Sequence, residues 1–338
     1  MYNFFSMNFR TQVHIPKANF QVTHNQNLML FGSCFSENIG LRLLQNKFNA
    51  NVNPFGILYN PLSVSTAVRR LTEKKSFTED DLVYHNDVYQ SFLHHGKFSD
   101  SDKETCLKKI TASFENAVNF IHKTDVFLIT FGTAYIYRLK SSGQVVGNCH
   151  KFTADHFIRE RLSVEEIVKD WSELIENLLS INPAAKFIFT VSPIRHLKDG
   201  MHENHISKAT LLLAIEQLKT RFGNSIDYFC AYELLLDELR DYRFYADDMI
   251  HPSETAIEYI WQKFSATYFP EETIRLLTEW SSIQKALEHK PLNEKSESYN
   301  RFLQQTLQKL ANFEIKYSEI SCQREKDLIN EKIKQLHL

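Results

Sequence analysis

An α/β fold built on a parallel sheet follows from three features of this 338-residue chain. Short apolar runs of strand length recur along it. Segments of ten or more residues with helical periodicity separate them, as crossover connections between parallel strands require. The runs are apolar throughout instead of alternating, which marks strands covered on both faces.

The first strand is expected over 28–31, in Asn27-Leu-Met-Leu-Phe-Gly32. A helix with Ile39, Leu41, Leu43 and Leu44 as its apolar content is expected over 37–48. Pro54, Gly56 and Pro61 break the chain into a loop, and a second helix is expected over 63–73. The stretch 77–99 is aromatic and irregular. Ile110, Phe114, Val118 and Ile121 recur at helical spacing and predict a helix over 103–122. Asp125-Val-Phe-Leu-Ile-Thr130 reads as a buried strand. Tyr135-Ile-Tyr-Arg-Leu139 and Gln144-Val-Val146 flank Ser141-Ser-Gly143 and read as a hairpin. A helix over 164–179 stops before Asn182-Pro183. Strands over 186–191 and 226–230 bracket a helix over 207–222. A last helix starts after His251-Pro252 and runs through Trp261, with Pro252 and Ser253 as start residues.

Beyond Pro270 the character changes. Phe302, Leu303, Leu307, Leu310, Phe313 and Tyr317 form one helical stripe, and Leu328, Ile329, Ile333 and Leu336 a second. The chain therefore divides into an α/β unit over 8–268 and a C-terminal helical extension over 270–338. The extension is expected to cover the chain's own apolar surface, or alternatively to pack on a second copy as a homo-oligomer.

Composition narrows the partners. A net charge of −2 gives no basic field for nucleic acid. No apolar run is long enough to span a bilayer. The first ten residues lack the basic start and apolar block of a secretion signal, and Met7 is an alternative start. The cysteines, at positions 34, 106, 149, 230 and 322, are scattered, without CxxC spacing, so a disulfide framework or zinc site is not expected. A reduced, cytoplasmic protein is the expectation.

In sheets of this kind the ligand lies beyond the carboxyl ends of the strands. Gly32, Gly132, Ser192 and the segment leading to His251 all follow strand-length runs, so they converge on one edge. Gly32-Ser33-Cys34 places a hydroxyl and a thiol where a strand turns into a helix. Backbone amides at such a turn can hold developing negative charge. Either Ser33 or Cys34 is a candidate nucleophile, and a thiol needs a base or a helix N-terminus to reach its reactive thiolate form. Asp248-Met-Ile-His251 supplies an imidazole with a carboxylate to orient it.

Phe31-Gly-Ser-Cys-Phe-Ser36 resembles the motif that names the GSCFA domain family, which is related to the SGNH/GDSL hydrolases. The likeness runs on in order through Asn53-Pro-Phe-Gly-Ile-Leu-Tyr-Asn60, Thr130-Phe-Gly-Thr-Ala-Tyr135, Gly147-Asn-Cys-His150, Thr190-Val-Ser-Pro193 and Phe244-Tyr-Ala-Asp-Asp-Met-Ile-His-Pro252, about residues 8 to 265. It implies a flavodoxin-like three-layer α/β/α sandwich and ester-directed chemistry. Laid over the SGNH blocks, Cys34 takes the nucleophile's place and Ser33 that of an aspartate. Gly56 falls where a glycine amide enters the oxyanion hole. The third block, Gly-x-Asn, reads Gly132-Thr133-Ala134 here and lacks its amide, for which Asn148 or Thr133 substitutes. Asp248 and His251 match the final block unchanged.

The leading expectation is an SGNH-like hydrolase of ester or thioester bonds, with no metal or cofactor and a small-molecule or carbohydrate ester as substrate. Acyl transfer to a carbohydrate or other hydroxyl acceptor is one alternative, and a non-catalytic binding module on the same fold is another. Arg195-His196, just after a strand, are expected to line the pocket. His94-His95 lie in the aromatic loop, where they either support structure or contact substrate. Cys149, beside His150, is a secondary thiol. His202, Glu203 and His205 lack metal-site spacing.

Overall fold

The computed structural model describes residues 11–293 and 295–336. The unit boundary at residue 8, the reading of the first ten residues and the start at Met7 fall outside them. Five strands, β1 (Asn27–Gly32), β2 (Asn49–Val52), β5 (Val126–Phe131), β9 (Lys186–Val191) and β10 (Ile226–Tyr228), form one parallel sheet in the order β2-β1-β5-β9-β10. Gly32 pairs with Thr130, and Thr130 with Thr190, so the three central strands end level. This is the flavodoxin-like order, with its switch point between β1 and β5.

Alternation along each strand sorts side chains to two faces. Met29, Phe31, Phe127, Ile129, Phe131, Phe187 and Phe189 enter one core, under α2 (Pro61–Thr72), α3 (Lys103–Ile121), α4 (Val164–Ile181) and α5 (Gly200–Phe222). Leu28, Leu30, Val126, Leu128 and Ile188 enter the other, under α1 (Cys34–Gln45) and α7 (Glu254–Tyr268). The result is a three-layer α/β/α sandwich. Side-chain caps fix several helix starts: Asn60 accepts from Ser63 N at 2.8 Å, Asp102 from Thr105 N at 2.7 Å, and Ser163 with Glu166 forms a capping box. The one-turn α6 (Ala231–Glu233) continues into a wider turn through Glu238.

Several expectations are corrected. The first helix begins at Cys34, three residues before the expected start, because Ser33 caps it. A fifth strand, β2, lies at the sheet edge where only a loop was expected. The last strand of the sheet ends at Tyr228 instead of residue 230. The aromatic stretch contains a hairpin of β3 (Val83–His85) and β4 (Val88–Gln90), turned by Asn86 and Asp87, whose φ values of 52° and 60° suit a tight hairpin turn. The hairpin of β6 (Tyr135–Leu139) and β7 (Val145–Val146) is joined by β8 (Phe157–Arg161) into a three-stranded antiparallel sheet. His202 and His205 lie within α5, which starts at Gly200.

The helices α8 (Glu271–Leu287), α9 (Glu297–Lys316) and α10 (Gln323–Leu336) carry the expected C-terminal stripes. Leu303, Leu310, Phe313, Tyr317 and Ile329 join Leu276, Trp280 and Ile283 in a core of their own. Leu328 is instead 50% exposed, and the side chain of Leu336 lies outside the described residues. The group touches the C-terminal end of α1. Trp280 Nε1 and Gln284 Nε2 both donate to Gln45 O, at 2.8 and 2.9 Å, and Lys47 pairs with Glu325 at 2.7 Å. No described helix is long and apolar enough to cross a membrane.

Candidate active site

The turn after β1 is built around Gly32. Its φ is +142°, and a Cβ there would sit 2.3 Å from Thr130 O, so only glycine lets β1 close on β5 and then turn. Asn53 Oδ1 accepts from Gly32 N, and Gly32 O accepts from Leu58 N, each at 3.0 Å. The next two residues have separate tasks. Ser33 is 1% exposed, and its Oγ accepts from Phe35 N at 3.3 Å as the cap of α1. Cys34, partly exposed, is the first residue of α1 and is unpaired with any other cysteine. Burial pushes its thiol up; its own amide and that of Phe35 offset this only in part, Glu37 adds to it, and Lys208 opposes it least.

The loop leading into α2 ties this turn to the end of β5. Gly132 N and Thr133 N both donate to Tyr59 O, at 2.7 and 3.0 Å. Gly132 O in turn accepts from Lys208 Nζ at 2.6 Å, and Ser192 O accepts from the same ammonium at 2.8 Å. Lys208 is 1% exposed, and burial pushes it down to about 7. His196 packs edge-on against Tyr59, and its Nε2 would lie 3.1 Å from a Cβ added at Gly132. Burial, then Lys208 and His251, push His196 down to about 3, so it is neutral near pH 7.

Asp248 and His251 lie in the loop before α7, where His251 is near enough to His196 to act on it. Asp248 Oδ1 accepts from the amides of Ile250 and His251, each at 2.9 Å, and Oδ2 contacts His251 Nδ1 at 2.5 Å. Met249 turns the chain between them with φ +58°. The two amides and then the ring hold Asp248 down to about 2. Both side chains are roughly half exposed, at 47% and 49%. Arg195 lies over the Tyr245 ring at 5.3 Å and packs this loop against the segment after β9.

The remaining expected residues divide. Thr133, Asn148, His196 and Cys149 line one cavity of about 240 Å³ with Tyr59, Tyr135 and Tyr137. Thr133 Oγ1 lies 3.1 Å from Ser207 Oγ and accepts from Tyr135 N. Asn148 Oδ1 accepts from His150 N at 2.8 Å. Gly56, at φ +77°, spends its N–H on Asn53 O at 2.7 Å and packs on His95. His94 is buried and stacked on Phe55, whereas His95 Nδ1 accepts from Lys97 N. Among the described residues no cluster of three His, Cys, Asp or Glu side chains is placed to hold a metal.

Lys208 is the residue that sequence reasoning missed. The signal was present: stepped back from Leu218, Ile215 and Leu211, the buried stripe of α5 falls on Lys208, Ser207 and Asn204. Three polar residues on an apolar stripe mark a buried polar site.

No curated protein matches the chain. Solved structures similar to it include a carbohydrate esterase family 3 protein from Talaromyces cellulolyticus (TM-score 0.34, 9% identity, 75% of this chain and 99% of that one). They also include an acetyl esterase mutant with acetate ion (0.35, 10%, 75% and 99%) and an acetyl xylan esterase from the rumen bacterium Butyrivibrio proteoclasticus (0.36, 10%, 77% and 66%). The profile of the C-terminal domain of GSCFA domain proteins matches residues 280–335. The GSCFA family profile itself matches residues 27–264, which take in the glycine turn, the thiol, the buried lysine and the Asp248–His251 pair, and the chain belongs to that family.

Proposed function

We propose that this protein is an SGNH-like hydrolase of ester or thioester bonds, with Cys34 as nucleophile, His251 as base and Asp248 as its orienting carboxylate. What supports the reading is a thiol at the first turn of α1, at the switch point of a parallel sheet, together with an Asp-held imidazole in the loop before α7 that acts on His196. His251 takes the Cys34 proton as sulfur attacks the carbonyl carbon. It returns that proton to the leaving oxygen as the carbon–oxygen bond breaks, leaving a thioester on Cys34. Water then attacks the thioester, the acid leaves, and the thiol is restored. A thiolate leaves a tetrahedral intermediate more readily than an alkoxide, so the reaction depends on His251 delivering its proton to oxygen.

Gly56 and Thr133 spend their backbone N–H groups on Asn53 and Tyr59. The Cys34 amide and the side-chain N–H₂ of Asn148 are therefore the donors we assign to the oxyanion. Ser33 sets the turn, Gly132 keeps the floor low, and Thr133 and His196 line the substrate's path.

A second reading, acyl transfer to a hydroxyl acceptor, draws on the cavity. Tyr59, Tyr135 and Tyr137 offer flat ring faces beside polar groups, which suits a sugar ring with apolar faces and peripheral hydroxyls. The deciding experiment is labelling with an acyl-ester probe followed by peptide mapping. An adduct on Cys34 that disappears in His251→Ala is the expected result, and an adduct on Ser33 would move the nucleophile. No adduct at either residue would favour a binding module. Transfer of the Cys34 acyl group to an added sugar, at the expense of water, would select the second reading.

A further inference from the structure

The cavity of about 240 Å³ beside the strand ends carries a charge arrangement that the triad chemistry does not use. Tyr137 and Arg159 face each other across β6 and β8, so strand pairing sets both side chains on one face. Arg159 Nε donates to the Tyr137 phenol oxygen at 2.9 Å. Lys198, in the turn between β9 and α5, donates to the same oxygen at 2.5 Å. Two cations from different segments thus converge on one neutral atom. Like charges held this close repel, and an anion beside them relieves the repulsion.

The two cations are not equally provided for. Arg159 gives both terminal nitrogens to Asp199 in a two-pronged pair, and its guanidinium lies 4.0 Å from the centre of the Tyr135 ring. Its donors and its flat face are therefore committed. Lys198 lies 4.9 Å from the centre of the Tyr137 ring, and among the described residues no carboxylate pairs with it. An ammonium has three N–H groups, so two remain after the bond to Tyr137. Asp199 is the one carboxylate that lines the cavity, against two cations, so its wall holds one positive charge in excess. The same wall offers the tyrosine rings that suit a sugar.

We propose that this cavity is a subsite for an acidic sugar, a ring that carries one carboxylate or phosphate, and that Lys198 selects for the charge. Arg159 and Asp199 hold Tyr137 in place, and the free N–H groups of Lys198 meet the acid. Cys34 does not line the cavity, which makes it a binding subsite and not the reacting centre. Its wall is continuous with the glycine turn: Leu58 N donates to Gly32 O, and the next residue, Tyr59, accepts from the amides of Gly132 and Thr133. Asn148, the side chain assigned to the oxyanion, lines it as well. The inference rests on the reading in which the cavity receives a sugar, and it does not depend on which atom is the nucleophile.

The test is isothermal titration calorimetry on the full chain, with glucuronate, glucose 6-phosphate and glucose as probes. A charge-assisted hydrogen bond in a partly open cavity supports a preference of about tenfold, so at least one acid is expected to bind about tenfold more tightly than glucose. Added salt should narrow the gap. A larger preference for glucuronate assigns a carboxylate, and a larger one for glucose 6-phosphate a phosphate. Lys198→Gln is expected to lose the preference and keep the affinity for glucose, whereas Lys198→Arg retains the preference. Lys198 is exposed, so neither variant threatens folding. If neither acid binds more tightly than glucose, or if the preference persists in Lys198→Gln, the proposal is overturned. Acyl-probe labelling of Cys34 is read separately. Acid preference without a Cys34 adduct sustains the subsite and refutes the ester reading, and an adduct without acid preference does the reverse.

Discussion

Replacing Gly32 with alanine tests the architecture of the site more directly than any change to its reactive groups. An added Cβ would lie 2.3 Å from Thr130 O and 2.8 Å from Thr130 Cβ. The first atom belongs to the neighbouring strand's backbone, so no side-chain rotation relieves the clash. Ordinary contact begins near 3.4 Å, which requires about 1 Å of separation between β1 and β5 at this level. That movement strains both hydrogen bonds of Gly32, to Asn53 Oδ1 and from Leu58 N. Forcing φ +142° on an L residue costs about 1–3 kcal/mol, and two weakened buried hydrogen bonds add about 1 kcal/mol each. The expected loss is therefore about 3–5 kcal/mol, measured by urea denaturation followed by circular dichroism. Gly96→Ala is the control, since a Cβ there meets nothing within 4 Å. It should change stability by less than about 0.5 kcal/mol. A Gly32→Ala protein within about 1 kcal/mol of the parent would refute the close-packed turn.

Three further outcomes are expected. Asn60→Ala removes the cap of α2 at a buried position and should cost about 1–2 kcal/mol in the same denaturation assay; a neutral result would count against the cap. Trp280→Phe loses the donor to Gln45 O and shrinks a buried ring, and should cost about 1–3 kcal/mol by thermal melting. Asp248 carries the pH prediction. Its carboxyl is held down to about 2, so the ordered loop is fully formed above the usual carboxylate range and loosens as pH falls through about 2. The amide shifts of Ile250 and His251 should titrate with that low midpoint, and a midpoint near 4 would contradict the arrangement.

The parts of this fold that were legible in sequence are those whose residues meet the same environment along their whole length. β5 and β9 are buried almost throughout, so they stand out as unbroken apolar runs. β2 was hidden because Asn49-Ala-Asn-Val52 is a short, partly exposed edge strand whose place comes from pairing with β1. β8 was hidden for a similar reason, since Phe157-Ile-Arg-Glu-Arg161 is largely polar and only partly covered. The start of α1 was misread because Ser33 looks like a nucleophile and serves as a cap. At the site, Cys34, Asp248 and His251 stand out as candidates because chemistry restricts the residue types that can serve. The Gly56 and Thr133 amides could not be judged, because hydrogen-bond partners distant in sequence decide whether an amide is free. Lys208 was passed over because it lies far from any reactive motif, and the meeting of β5, β9 and α5 is a tertiary fact.

The contact between the C-terminal helices and α1 has a consequence for how the two parts can diverge. Trp280 and Gln284 both recognise Gln45 through its backbone oxygen, which every residue type supplies. Apart from Lys47, which pairs with Glu325, donates to Ser321 O and lies over the Trp280 ring, these contacts ask little of the sequence at the end of α1. The apolar side chains of the extension are spent largely on one another, Leu277 apart, which packs on the sandwich's core. Each part can therefore accumulate substitutions without a matching change in the other, and one extension could be grafted onto a divergent sandwich. Because α1 is about 18 Å long, such a graft would be made a full helix length away from the thiol at its other end.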